Sequence, residues 1–210
     1  MHPTSMRALP HRACGPNPRE RERRHKREFA AAASMIQAIL SADHRLNYAG
    51  ADPAAECLAA RYGFARHDLN IVRLSAYTRP FTAIIAPPRI WYSANGKRSL
   101  LELKYELRSL GHVAVLVPGR LLRRQPRLGN AELIAKSPSV PMTASDRMKI
   151  EIHVMTEGPS TLEDCAKLLE QHPDPFGVVL SLVRSHRLRV DLARPLSPLT
   201  PVWACEGRDQ

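Results

Sequence analysis

The stretch that decides the fold runs from Thr143 to Ala204: TASDRMKIEIHVMTEGPSTLEDCAKLLEQHPDPFGVVLSLVRSHRLRVDLARPLSPLTPVWA. Thr143 or Ser145 can cap a helix through DRMKIEIHVMTE. Met148, Ile152 and Met155 share one face of it, with Ile150 and Val154 at the margin. Gly158-Pro159 ends that helix. Ser160, followed three residues later by Glu163, forms a capping-box pattern for a second helix, striped by Leu162, Cys165, Ala166, Leu168 and Leu169. Asp174-Pro175 opens a third, FGVVLSLVRSHR, with Val178, Val179, Leu182 and Val183 facing inward. LRVDL and TPVWA then form two short strands around the proline-rich ARPLSPL.

Three helices followed by a two-stranded wing is the winged-helix order, expected here over residues 143–205. In that arrangement the third helix enters the major groove and the wing touches the backbone. Ser181, Arg184, Ser185, His186 and Arg187 become candidate DNA contacts, with Arg189 and Arg194 near the wing. Arginine there either reads guanine edges or pairs with phosphates. The same elements also suit a protein-docking module, so an adaptor role stays open.

Upstream, the proline-interrupted SPSVPM (137–142) marks a linker and a domain boundary. Residues 29–136 are expected to form a small mixed-sheet α/β domain, making the whole chain α+β or α/β. Residues 1–28 are expected to be a disordered basic arm, although RERERRHKREF flows into helix-forming AAAASMIQAIL. HRLNYAGAD breaks that helix. Asp52 and Pro53 cap the next, AAECLAARYGF, and LNIVRLSAY and FTAIIA follow as strands rich in Ile and Val. Asn95-Gly96, between RIWYSA and SLLELKY, has the composition of a hairpin turn. SLLELKYELRSLG also suits a helix, so a strand start with a helical finish is expected. HVAVLVP is expected as a buried strand, and GRLLRRQPRLGNAELIAK as a basic connection leading into a helix near Asn130.

The formal net charge is +11, with 31 Lys and Arg against 20 Asp and Glu. A surplus of that size suits a polyanion, and double-stranded DNA is the expected partner. Arg120, Arg123, Arg124 and Arg127 of the basic connection are candidate phosphate contacts. Cys14, Cys57, Cys165 and Cys205 are scattered without metal-ligand spacing, which fits reduced thiols in a cytoplasmic, nucleoid-associated protein. No membrane span, secretory signal, glycine-rich nucleotide loop or nucleophile elbow is present in the pattern. Cys57 beside Glu56 and His67 beside Asp68 are expected to be structural or surface residues, not a nucleophilic site.

HVAVLVPGRLLRRQPRLGNAELI, TLEDCAKLL and LVRSHRLRVDLARPLSPLTPVW together resemble TnsA-type transposon endonucleases across about residues 52–204. The resemblance implies a restriction-endonuclease-like domain followed by a winged helix, and a role in transposition, mobile-element biology or regulation. It also implies a transposase or another DNA-processing protein as a further partner. Such a nuclease uses a strand bearing Pro-Asp, a hairpin, then Glu-x-Lys on the next strand, with another glutamate from an upstream helix. Glu102-Leu103-Lys104 supplies the Glu-x-Lys pattern and Glu56 the upstream carboxylate, so Glu56 and Glu102 are the candidate ligands for Mg²⁺ or Mn²⁺. The position expected to hold aspartate falls in APPRIWY, where Pro88 precedes Arg89, and Asp68 stands in only under a different strand register. An arginine there repels a metal ion, which points to a binding protein without a cofactor. An active metal-dependent DNA endonuclease using Glu56, Glu102 and Lys104 remains the alternative.

Overall fold

The structure, a computed structural model, describes residues 17–77, 79–137, 140–169 and 171–205. Residues 1–16 of the expected basic arm lie outside this set. Helix α1 (Pro18–Ala42) begins immediately after it. Asn17 accepts from the Arg19 amide at 3.0 Å, and Pro18 occupies the first helical position. Lys26 pairs with Glu22 at 2.8 Å and Arg24 with Glu28 at 3.7 Å, one turn apart. Residues 18–28 are therefore a solvated helix face, as their Arg/Glu run allows, and not part of a disordered arm reaching to residue 28. Full burial begins only at Ile36, so the basic half of α1 stands largely in solvent.

The expected helix break is a strand, β1 (Leu46–Gly50), followed by α2 (Pro53–Arg61), where Asp52 accepts from the Ala55 amide. Strands β2 (Asn70–Ala76) and β3 (Arg79–Ala86) form an antiparallel hairpin, paired from Asn70 with Ile85 to Ala76 with Arg79. A short α3 (Pro88–Trp91) and the longer α4 (Ala94–Ser109) carry the chain to β4 (Ala114–Pro118), which lies parallel to β3. The result is a mixed four-stranded sheet in the order β1-β2-β3-β4, with a helical crossover between its one parallel pair.

Two expectations fail here. Asn95-Gly96 is no hairpin turn: both residues sit in the first turn of α4, capped by Ser93, which accepts from the Gly96 amide. Leu100, Leu103 and Leu107 are fully buried at helical spacing, and that apolar face outweighs the local turn propensity. β4 is an edge strand, with Ala114 its only fully buried residue and Val115 exposed.

Beyond a 3₁₀ turn at Gly119–Leu121 comes α5 (Arg127–Lys136). Then follow α6 (Ala144–Thr156), β5 (Ser160–Thr161), α7 (Leu162–Lys167), α8 (Pro175–Arg184), β6 (Leu188–Val190) and β7 (Pro201–Ala204). The three strands form an antiparallel sheet in the order β5-β7-β6. Thr143 caps α6, and Asp174 caps α8 by accepting from the Gly177 amide. At α7 the cap is Thr161 and not Ser160. Thr161 accepts from the Asp164 amide and donates to its carboxylate, while the Ser160 hydroxyl meets His153 Nε2 at 3.0 Å.

The apolar face of α6 is reversed from expectation. Ile150 and Val154 are 0% and 3% exposed, whereas Met148, Ile152 and Met155 are 52%, 53% and 72% exposed. Both stripes satisfy helical spacing, and packing of α6 against β7 selects the β-branched one.

The cores do not follow the linker. Ala38, Ile39 and Ala42 of α1 and Ala131 and Ile134 of α5 share one cluster with the buried residues of α6, α7, α8 and β7. Ile36 and Leu40, on another face of α1, pack instead on Leu74, Ala83 and Ile85 of the mixed sheet. A third cluster joins α2 and α4 to the sheet's opposite face. The same clamp is reinforced by Asp43, which is 3% exposed and accepts from Arg45 at 2.9 Å on both oxygens and from Arg127 at 2.8 Å.

Candidate functional site

Strands β3 and β4 run parallel and end side by side, and their carboxyl ends open into a pocket of about 210 Å³. The carboxyl edge of a parallel pair is where α/β folds place ligands, because the chain turns away there and leaves a crevice. One wall is α1, through Glu28, Phe29, Ala32 and Met35. The floor comes from Ile85 and Pro87 at the end of β3, and the rim from Arg120 and Arg123 after β4. Gly119 relieves crowding at the corner, since a Cβ there would lie 3.1 Å from the Ala86 carbonyl.

Arg89 sits at the centre of this site. Its Nη1 donates to Asp68 Oδ1 at 2.8 Å, its Nε to Glu28 Oε2 at 3.4 Å, and its Nη2 to the His67 carbonyl at 3.4 Å. Asp68 also accepts from the Ala65 amide, which fixes the carboxylate just ahead of β2. His67 meets Phe29 edge to face at 5.2 Å, and its buried Nδ1 has no hydrogen-bond partner. Arg120 donates to the Tyr92 hydroxyl at 3.3 Å.

The residues singled out in the sequence are distributed differently. Glu56 is exposed on α2, and Glu102 and Lys104 lie on α4, so the Glu-x-Lys pattern is on a helix and not on a strand. Two residues apart on a helix, Glu102 and Lys104 do not face one direction as they would for a shared metal site. Among the described residues no group of three or more His, Cys, Asp or Glu is placed to hold a metal ion. The carboxylates that do converge are Asp68, ahead of the hairpin strand β2, and Glu28, on an upstream helix. Asp68 is the residue able to stand in for the missing aspartate, whereas Glu28 is not among the sequence candidates. Glu28 lay in a segment read as an arm, and only the fold brings it to Arg89, 61 residues away. The residues present do not suit a divalent cation: a guanidinium bridges the two carboxylates, and β3 ends in Ile84-Ile85-Ala86 with no Glu or Lys.

The basic candidates also differ in their engagements. Arg123 lines the pocket and Arg124 is exposed beside it, whereas Arg127 is held on Asp43. Arg184 donates to the Ser137 carbonyl at 3.1 Å, and Ser185 to the Leu182 carbonyl. His186, at a left-handed φ of 58°, contacts the Leu40 carbonyl through Nε2 at 3.1 Å. Arg187 lies 3.9 Å from Glu151, and Arg189 stacks over Trp203 with its guanidinium carbon 5.7 Å from the ring centroid. Arg194 is exposed, 3.8 Å from Asp191. Of α8 itself, Phe176 and Arg184 are the exposed residues.

Cys57 is exposed, Cys205 half-buried and Cys165 buried. Burial pushes the Cys165 thiol up to about 11, which leaves it protonated and unreactive at neutral pH. No described helix is long and apolar enough to cross a membrane. Comparison with protein-family models, with curated proteins and with solved structures finds no match for the chain.

Proposed function

We propose that the chain binds double-stranded DNA through a nuclease-like α/β part that does not cut, followed by a winged-helix part. The observation that carries the reading is the 25-residue run 107–131, which holds five arginines and no acidic residue. It delivers Arg120 and Arg123 to one rim, where α1 forms a wall, and leaves Arg124 exposed next in sequence. A cationic surface of this kind gains most of its affinity from counterion release on phosphate contact.

The resemblance to TnsA-type nucleases supports the first part. A carboxylate ahead of a hairpin strand and a glutamate on an upstream helix are both present, as Asp68 and Glu28, but the cation between them is Arg89. A guanidinium lying between the two carboxylates favours binding without cleavage. The order α6-β5-α7-α8-β6-β7, with strands arranged β5-β7-β6, supports the winged-helix part. Because α8 is apolar around most of its circumference, backbone contact falls to Arg187 and Arg194 at its end and on the wing. Nucleoid association and a role in transposition or regulation accord with this reading.

A second reading is a protein-docking adaptor, favoured by the exposed Met148, Ile152 and Met155 on α6. One experiment separates the readings: titration of a labelled duplex at several salt concentrations, with and without Mg²⁺ or Mn²⁺. The DNA-binding reading expects affinity to fall with a log-log slope of about −0.9 per phosphate contact and the duplex to stay intact. No binding at low salt leaves the adaptor, and metal-dependent nicking restores the endonuclease.

A further inference from the structure

The pocket at the ends of β3 and β4 carries more chemistry than contact with a duplex backbone uses. Three guanidinium groups reach it from two segments, Arg89 from α3 and Arg120 and Arg123 from the turn after β4, against the two carboxylates of Glu28 and Asp68. The balance among these groups is one positive charge. The carboxylates hold Arg89 in place while engaging only part of its donor set. Its Nε, Nη1 and Nη2 make one contact each, and a guanidinium has five N–H groups.

The walls are apolar. Phe29, Met35, Ile85 and Pro87 line the same pocket as the arginines. A site that combines guanidinium groups with an aromatic and aliphatic lining matches a ligand with a phosphate at one end and an aromatic ring at the other. Inorganic phosphate leaves the apolar walls unused, and a volume of about 210 Å³ is too small for a duplex. His67, on the same lining, has a buried Nδ1 without a partner, a polar group left unmatched by the protein itself.

We propose that this pocket binds a nucleoside phosphate monoester with its phosphate on Arg120, Arg123 and the outer N–H groups of Arg89, and its base against Phe29 and Met35. The monoester is either a free mononucleotide or the 5′-phosphorylated end of a DNA strand. A phosphate within a continuous strand is tethered on both sides and does not enter a recess walled by α1. The inference deepens the DNA-binding reading where the ligand is a strand end, and stands apart from it where the ligand is free.

The test uses the full chain in EDTA. Calorimetry compares dAMP with deoxyadenosine, and anisotropy compares one labelled duplex carrying 5′-phosphates with the same duplex carrying 5′-hydroxyls. Loss of a charge-assisted contact predicts a difference of about tenfold within at least one pair. Preference within the first pair identifies a free nucleotide, and within the second a strand end. The exposed substitution Arg123→Ala is expected to reduce the preference about fivefold or more. Ala32→Phe, which fills the recess, is expected to abolish it. Equal binding within both pairs overturns the proposal, as does a preference that survives Ala32→Phe in a variant with a native melting transition. Binding of the 5′-hydroxyl duplex at low salt reports separately on the DNA-binding reading, so its failure is distinguishable from failure of the pocket.

Discussion

Arg89 and Asp68 form a 2.8 Å ion pair at the mouth of the hairpin β2–β3, with side chains only 24% and 18% exposed. Their positions are set by opposite ends of the hairpin: Asp68 precedes β2 and Arg89 follows β3, and antiparallel pairing brings those ends together. Glu28 of α1 completes the arrangement from the helix above. A cation is thus built into the chain where two carboxylates meet.

Replacing Arg89 tests that arrangement. Arg89→Ala leaves Asp68 and Glu28 without their cation and is expected to lower stability by about 1–2 kcal/mol, since the pair is only partly shielded from water. Mn²⁺ is then expected to raise the melting temperature of the variant and leave that of the parent unchanged. Scanning calorimetry with and without the ion checks both. A variant as stable as the parent, with no metal response, contradicts the account.

The orientation of α6 makes a sharp pair of predictions. Ile150→Ala removes a fully buried side chain and is expected to cost about 2–5 kcal/mol, whereas Ile152→Ala, two residues on, is expected to stay within about 0.5 kcal/mol. Urea denaturation of the two variants measures the difference. Comparable losses at both positions argue for the opposite face.

Two helix caps in the C-terminal part are set by short polar side chains. Thr161→Ala removes acceptance from the Asp164 amide, and Asp174→Ala removes acceptance from the Gly177 amide. Each is expected to cost about 1 kcal/mol in chemical denaturation, while Ser160→Ala, one residue from the cap, leaves the Thr161 cap bond in place. Equal losses for Ser160→Ala and Thr161→Ala place the cap at the wrong residue.

Asp43 contributes to the acid side of the stability curve. Burial alone would raise its pKa, but the Arg45 hydrogen bonds and charge, with Arg127, outweigh burial and hold it below its ordinary 3.8. A carboxylate depressed in the native state contributes fully above its unfolded pKa and loses that contribution as pH falls through the native value. The loss attributable to Asp43 therefore falls below about pH 4. Asp43→Asn is expected to be less stable by about 3 kcal/mol at pH 7 and to show a flatter acid limb. Parallel stability curves for parent and variant between pH 2 and 6, tested at about unit steps, sink the assignment.

Much of this architecture is visible in local pattern. Asp52-Pro53 and Asp174-Pro175 mark helix starts correctly, and the Ile- and Val-rich β2 and β3 are strands as composition suggests. Local pattern fails where two patterns fit one segment. Asn95-Gly96 suits a hairpin, yet the buried spacing of Leu100, Leu103 and Leu107 makes it a helix start. On α6 both apolar stripes have helical spacing, and only the neighbouring sheet decides between them. The pocket was hidden for a different reason. Its parts come from positions 28, 68, 89 and 120–123, and nothing in the sequence links them until the mixed sheet closes.

The contact of His186 with the Leu40 carbonyl joins positions 146 residues apart. It belongs to a core in which Ala38, Ile39 and Ala42 pack against helices near the other end of the chain. During synthesis α1 emerges early, but its apolar face has no complete partner until α8 and the final strands have left the ribosome. For that interval the first helix exposes a surface that other nascent chains can engage. Closure over so long a separation is intrinsically slow. Early termination near residue 142 consequently yields a chain whose α1 lacks most of its cover, so the boundary suggested by the proline-rich linker is a poor place to divide this protein.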